Sequence, residues 1–241
     1  FRVAQESRGE WTHHAAWVDV LAKGTSAGRG IYTRSRFAKC ETRTAPADKP
    51  GPAVPIEAPS GLIGYPTIKL FNALYRRKLF GSFRRQHCAP YDPAFFPLDG
   101  VRDWNRIYGR SGFYQYQCVV PKDGARSAIR ALLDAMASDG QGSFLTVLKE
   151  FGSIPSPGLL SFPMAGTTLA VDFPNPGVRT LRLLRELRGI TVAAGGRVYI
   201  AKDGRAAPAM LTKGYPHLDR FRQSIDPAFS STFWRRSSVA G

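Results

Sequence analysis

Hydrophobic and polar residues follow two different periods along this chain, and the points where the period changes divide it into elements. From His13 to Leu21 and from Gly30 to Phe37 the residues suit strands, with Gly24 and Gly28 supplying turn conformations between them, so the pair reads as a hairpin. Alternation returns in the run that starts at Phe113: Phe113, Gln115 and Gln117 face one way, Tyr114, Tyr116 and Cys118 the other. A strand with two glutamines on one face is not ordinary core. Helical spacing takes over from Gly124 to Ser138, where Ala125, Ile129, Leu132, Leu133 and Met136 make one buried stripe. It does so again from Val178 to Ile190, with Leu181, Leu184 and Leu187 on a shared face. Ser143 to Phe151 and Thr167 to Phe173 read as strands and Pro66 to Lys78 as a short helix. This rhythm predicts an α+β fold, an antiparallel sheet covered by helices on one side.

Two regions depart from these periods. Thr44 to Gly61 is rich in proline and can be neither helix nor central strand, so it reads as an extended surface connection. After Gly195 come a short strand RVYIAK, a helix near Ala206 to Lys213, a helical YPHLDRFRQSIDP and an aromatic, basic tail.

At 241 residues and 43% hydrophobic content the chain can bury a sizeable core, as one domain or one and a fraction. No apolar run approaches the roughly 18 residues of a membrane span, and no basic segment leads into an apolar one near Phe1, so neither span nor signal peptide is visible. Cys40, Cys88 and Cys118 are odd in number and lack CxxC spacing, which reads as reduced thiols instead of a disulfide framework or a zinc site. His13 and His14 point to opposite sides of a strand, and His87 and His217 stand in no triad arrangement, so no metal site is predicted. Without GxGxxG or Walker sequences, no Rossmann or P-loop unit is encoded.

Charge changes the picture more. A net +16 favours anionic partners: nucleic acid, acidic lipid or a phosphorylated substrate. Arg76, Arg77, Lys78, Arg84 and Arg85 surround Phe80 and Phe83, as in a peripheral membrane contact or an RNA-binding loop, with a solvated loop as the plain alternative. Arg179, Arg182, Arg185 and Arg188 drift around their helix and read as a solvated face.

The segment FFPLDGVRDWNRIYGRSGFYQYQCVVP, Phe95 to Pro121, joins to GGRVYIAKDGR, Gly195 to Arg205, and to HLDRF at His217 to Phe221 followed by Asp226 and Pro227. Together these resemble FAD-linked oxidases of the vanillyl-alcohol-oxidase type, namely the sugar-lactone and alditol oxidases and, most closely, the decaprenylphosphoryl-ribose oxidases. The resemblance runs from about His13 to Arg236. It implies a substrate domain over residues 1–194, with residues 1–12 as a candidate end of the FAD domain, and a segment 195–241 that returns to the FAD domain. The proline-rich stretch then becomes a loop inside the substrate domain. Because the family builds its flavin cradle mainly from sequence preceding our Phe1, the chain reads as a fragment, inactive alone. The implied chemistry is hydride transfer from a secondary alcohol of a sugar, or of a polyprenyl-phosphate-linked pentose, to N5 of FAD, with oxygen or a quinone as reoxidant. The expected location is cytoplasmic or peripheral to a membrane, and no specific nucleic acid is expected.

The resemblance also assigns residues. Lys202, which alone would be a lysine in a surface turn, matches the lysine between flavin and substrate, where a fixed ammonium stabilises negative charge developing on the flavin. Tyr199 is expected beside the same pocket, although strand alternation would turn it away from Lys202. Gln117 matches a pocket glutamine, and Gln115 shares its face; both suit sugar hydroxyls, or else form the wet side of an edge strand. Lys149 matches a pocket lysine suited to a phosphate, or is an exposed strand lysine. Thr167 and Thr168 stand where the mycobacterial enzymes have Trp and Asn, Ala170 where they have Cys, and Tyr75 where they have Trp. These four bear on pocket shape and put substrate identity in question. Asp172, Phe173 and Pro174 match as well and read as mainly structural. The alternative from another class is a non-catalytic basic module that binds RNA or acidic membrane.

Overall fold

The computed structural model describes residues 1–38, 51–79, 86–96, 98–175, 177–202 and 207–238. Six strands form one sheet in which every pair of neighbours is antiparallel. They are β1 (His13–Val18), β2 (Gly30–Ser35), β3 (Phe113–Pro121), β4 (Thr146–Phe151), β5 (Gly166–Pro174) and β6 (Arg197–Val198), in the order β2-β1-β4-β5-β3-β6. The helices are α1 (Arg2–Ser7), α2 (Tyr65–Arg76), α3 (Tyr91–Phe95), α4 (Ala125–Asp139), α5 (Val178–Ala193), α6 (Pro208–Gly214), α7 (Leu218–Arg222) and α8 (Thr232–Ser238). The expected α+β layer is therefore present.

Alternation decides which face is covered. Tyr116, Cys118 and Val120 of β3 and Leu169, Val171 and Phe173 of β5 point to one side, where α4 and α5 close over them. Tyr116 cannot bury its hydroxyl without partners, and it finds them on α5: the Leu187 carbonyl at 3.0 Å and Thr191 Oγ1 at 2.7 Å. Helix α4 stops at Gly140, whose φ of 75° is a left-handed cap that suits glycine. The buried stripe of α5 is Thr180, Leu183, Leu184, Leu187 and Thr191, while Leu181, expected in it, is only half-buried. The arginines expected to be merely solvated do more: Arg179 and Arg182 reach the Asp139 carboxylate at 3.3 and 3.7 Å and tie α5 to the end of α4.

Other expectations change at element ends. Strand β1 stops at Val18 and does not run to Leu21, because Asp19 turns inward and accepts from Arg29 at 2.7 Å and from Asn72 of α2 at 2.8 Å. The part of the proline-rich stretch that is described lies docked along the segment before β3: Val54 N donates to the Arg102 carbonyl and Ala58 N to that of Arg106. It is a surface connection with backbone partners, not a free linker. The strand expected over RVYIAK is two residues long, since Lys202 N donates to the Tyr199 carbonyl and closes a turn. The expected YPHLDRFRQSIDP helix contracts to the five residues of α7. Cys40, Phe80, Phe83, Arg84, Arg85, Asp203, Arg205 and Ala206 lie outside the described residues.

Candidate functional site

The sheet face turned away from α4 and α5 carries the residues that sequence reading singled out. Directly paired residues of antiparallel strands share a face, so the register can be read in rows. Lys149 of β4, Thr168 of β5 and Val119 of β3 form one row; Val147, Ala170 and Gln117 form the next; Asp172 and Gln115 form the third. Gln115, Gln117, Lys149, Thr168 and Ala170 are thereby neighbours on one surface. Gln117 Nε2 donates to Thr168 Oγ1 at 3.4 Å, a long contact that leaves the amide free to exchange partners.

Tyr75 comes to the same face from α2. Its ring lies 4.8 Å from that of Trp17, which is paired with Val147 across β1 and β4 and whose Nε1 donates to the Phe144 carbonyl at 2.9 Å. Phe71, Phe144, Tyr108 and Phe113 continue the ring contacts and wall one side of the face. Opposite, the chain leaves β6 with Tyr199 N donating to the Gln117 carbonyl at 2.8 Å. The turn ends strand alternation, so the face argument against Tyr199 does not apply to it. Its ring stacks on Phe162 at 4.7 Å. Lys202 emerges from that turn exposed, with Nζ 3.4 Å from Gln115 Oε1.

Asp172, which sequence reading took as mainly structural, lies in the third row of this face. It is 4% exposed, and among the described residues its Oδ2 has no hydrogen-bond partner. Burial pushes its carboxyl up to about 6, against the opposing pull of a hydrogen bond from Gln115 and the positive charge of Lys202. Beside it, burial raises the Tyr108 hydroxyl strongly, and the Asp172 charge adds to that rise. The DFP phrase marked Asp172 only as a strand ending, because its link to Gln115 exists only in the register between β3 and β5.

Thr167 stands apart from the other expected pocket positions. Thr167 pairs with Glu150 and Val120 and so faces the helices, where it lines a groove of about 400 Å³ with Ile129, Leu133 and Leu148. Of the four substitutions expected to shape the pocket, only those at Thr168, Ala170 and Tyr75 lie on the candidate face. The groove lies mainly on the helix side of the sheet, with Trp17 and Lys149 also on its border; on the candidate face Gln115, Gln117 and Ala170 are half-buried, while Thr168 and Asp172 are buried. Among the described residues, no group of three His, Cys, Asp or Glu side chains could hold a metal ion. His13 contacts Phe95 at 4.7 Å, and His14 bonds Tyr32 and the Trp11 carbonyl.

Chemically the face is a floor of neutral amide and hydroxyl groups with an ammonium at each end and one buried carboxyl. Such a set can hydrogen-bond several hydroxyls in varied poses and neutralise anionic groups at either side.

No family model matches the chain. Among curated proteins, decaprenylphosphoryl-beta-D-ribose oxidase of Mycolicibacterium smegmatis is 33% identical over 244 residues, covering 95% of this chain and 52% of that protein. A protein of Streptomyces coelicolor, described as an uncharacterized protein in the mprA 5' region, is 34% identical over 243 residues, covering 93% of the chain and 65% of its own length. The chain thus spans between about half and two thirds of these relatives. Over nearly its whole length it is similar to decaprenylphosphoryl-beta-D-ribose oxidase, the resemblance that its Phe95–Pro121 and Gly195–Arg205 segments carry.

Proposed function

We propose that this chain is the substrate-binding portion of an FAD-dependent oxidoreductase that oxidises a secondary alcohol on a pentose carried by a polyprenyl phosphate. One observation carries the reading: Gln115, Gln117 and Thr168 lie side by side between Lys149 and Lys202, in a chain 33% identical to an enzyme named for a polyprenylphosphoryl ribose. Residues 1–194 are the substrate domain in this reading, and residues 195–241 lead back toward a cofactor domain.

The donor chemistry fits one edge of a flavin. Lys202 is exposed, and among the described residues its hydrogen bond to Gln115 uses one of its three donors, which leaves two for an anionic ring edge. Bound there, FAD would supply the hydride acceptor. Lys202 stabilises negative charge at that edge, a preorganised donor aimed at charge that develops during reaction. Gln117 and Gln115 orient sugar hydroxyls. Lys149, exposed at the far end of the first row, takes the phosphate. Ala170 leaves room beside Gln117, and Tyr75 packs the apolar side of the sugar ring. Tyr199 supports the turn that presents Lys202. Oxygen or a quinone regenerates the cofactor.

A polyprenyl substrate brings the protein to a membrane surface. No helix among the described residues is long and apolar enough to cross one. Helix α2 suits a peripheral contact: Leu70 and Leu74 are 62% and 53% exposed on the side opposite buried Ile68 and Asn72, with exposed Arg77 and Lys78 next in sequence.

The test is an absorbance spectrum of the protein purified from the complete reading frame, followed by anaerobic addition of polyprenylphosphoryl ribose. A yellow protein bleached by that substrate is expected. A colourless, well-folded protein that cannot be reconstituted with FAD would overturn the reading in favour of a basic RNA- or membrane-binding module, which the net charge of +16 also supports.

A further inference from the structure

We infer that Asp172 is a positioning residue: its buried carboxylate fixes the side-chain amide of Gln115, and Gln115 in turn holds the ammonium of Lys202 over the candidate site. The consequence for catalysis rests on the proposed role of Lys202, whereas the geometry does not need a bound cofactor.

Gln115 and Asp172 are direct cross-strand partners on the face away from the helices. Which way round the amide sits is settled by donor chemistry. A lysine ammonium has no lone pair to accept with, so the contact with Lys202 at 3.4 Å must be made by the amide oxygen. That turns Nε2 toward the neighbouring carboxylate, which when ionised can only accept, and the Gln115 hydrogen bond does favour the charged form of Asp172. The chain of contacts is therefore polarised in one direction, carboxylate to amide to ammonium. Its two ends are anchored to the same strand, because Tyr199 N donates to the Gln117 carbonyl and the Lys202 turn closes on Tyr199.

Among the described residues, the charged and titratable groups facing Asp172 are Lys202 from the turn after β6 and Tyr108 from the segment before β3, with Gln115 as its neutral hydrogen-bond partner. When Asp172 takes up a proton, its carboxyl no longer attracts the amide N–H as a charge. Should the amide flip, it would present a donor to the ammonium. Acid thus releases Lys202 from its place.

The experiment is an NMR titration of the intact protein without cofactor, with glutamine and lysine side chains labelled. In the wild type the Gln115 amide and the Lys202 ε-methylene are expected to shift together through a single inflection near pH 6. Asp172→Asn should abolish both inflections while backbone signals far from the site stay in place. Gln115→Met should abolish the Lys202 inflection or reduce it several-fold. A Gln115 amide that does not move across this range overturns the proposal, as does a Lys202 inflection that persists undiminished in Gln115→Met. If Asp172→Asn fails to fold, the wild-type titration and Gln115→Met still decide. Since no flavin is involved, failure here leaves the flavoenzyme reading standing, and a colourless protein would leave this inference standing.

Discussion

Asp172 keeps a carboxylate where water does not reach, and the sign of its effect on stability follows from that. Its carboxyl lies at about 6 in the folded protein against 3.8 as an ordinary aspartate, so the folded state holds the proton more tightly than the unfolded one. Its contribution is intact below about pH 4 and is lost as pH rises to 6; beyond that the buried charge costs on the order of 3 kcal/mol. Asp172→Asn is accordingly expected to raise the urea midpoint at pH 8 and to leave it nearly unchanged at pH 4, a comparison that equilibrium unfolding at both pH values checks. A residue kept at that cost in a cluster of polar side chains is more readily explained by a task than by stability. Lys202 presents the opposite case. It is exposed, so Lys202→Ala should move unfolding by no more than about 0.5 kcal/mol. In the flavin-loaded protein the same change should slow flavin reduction by about 10² to 10³, the usual loss when one preorganised donor is removed, as stopped-flow absorbance would register. Lys202 and Gln117 were legible because each stands in a distinctive local phrase. Asp172 read there as mainly structural, since its partner is 57 positions away in number and beside it only through strand register.

At the scale of elements, legibility followed the length of the repeating pattern. The predicted α4, β3 and β5 agree closely with the observed bounds, each having at least nine residues of sustained period backed by one apolar face. Elements held by a few backbone contacts were misread: β6 and α7 are far shorter than expected, because tertiary partners, not periodicity, end them. The same contrast predicts how the elements fail. Leu187 is fully buried in the α5 stripe, so Leu187→Ala should destabilise by about 2–5 kcal/mol in urea unfolding. Gly196 fails differently. A Cβ there would lie 2.4 Å from the Val119 carbonyl oxygen, so Gly196→Ala must push β6 away from β3. Amide exchange of Tyr199, whose N–H is bonded to the Gln117 carbonyl, should accelerate by at least about tenfold if opening becomes easier by about 1.4 kcal/mol. Lys202 would then be displaced with the turn that carries it, although nothing at Lys202 itself has been altered.

Across the whole molecule, charge and exposed apolar surface meet at α2. The +16 net charge alone would draw the protein to any polyanion, so attraction to acidic vesicles does not by itself distinguish lipid from RNA. Leu70 and Leu74 make the difference, since a polyanion in water gives them nothing to enter, while a bilayer interface does. Lys78 lies 4.1 Å over the ring of Tyr75, which joins this patch to the aromatic side of the candidate site and would bring a membrane-borne substrate beside it. Replacing Arg77 and Lys78 with Gln should weaken binding to anionic vesicles by about 30-fold, at about 1 kcal/mol for each basic residue near the surface, and salt should mimic that loss. Leu70→Ser with Leu74→Ser should instead remove the binding that survives high salt, measured by co-sedimentation, and leave binding to an RNA homopolymer unaltered. If the leucine variant sediments with vesicles as well as the wild type at every salt concentration, α2 does not enter the interface, and the charge serves an anionic partner in solution.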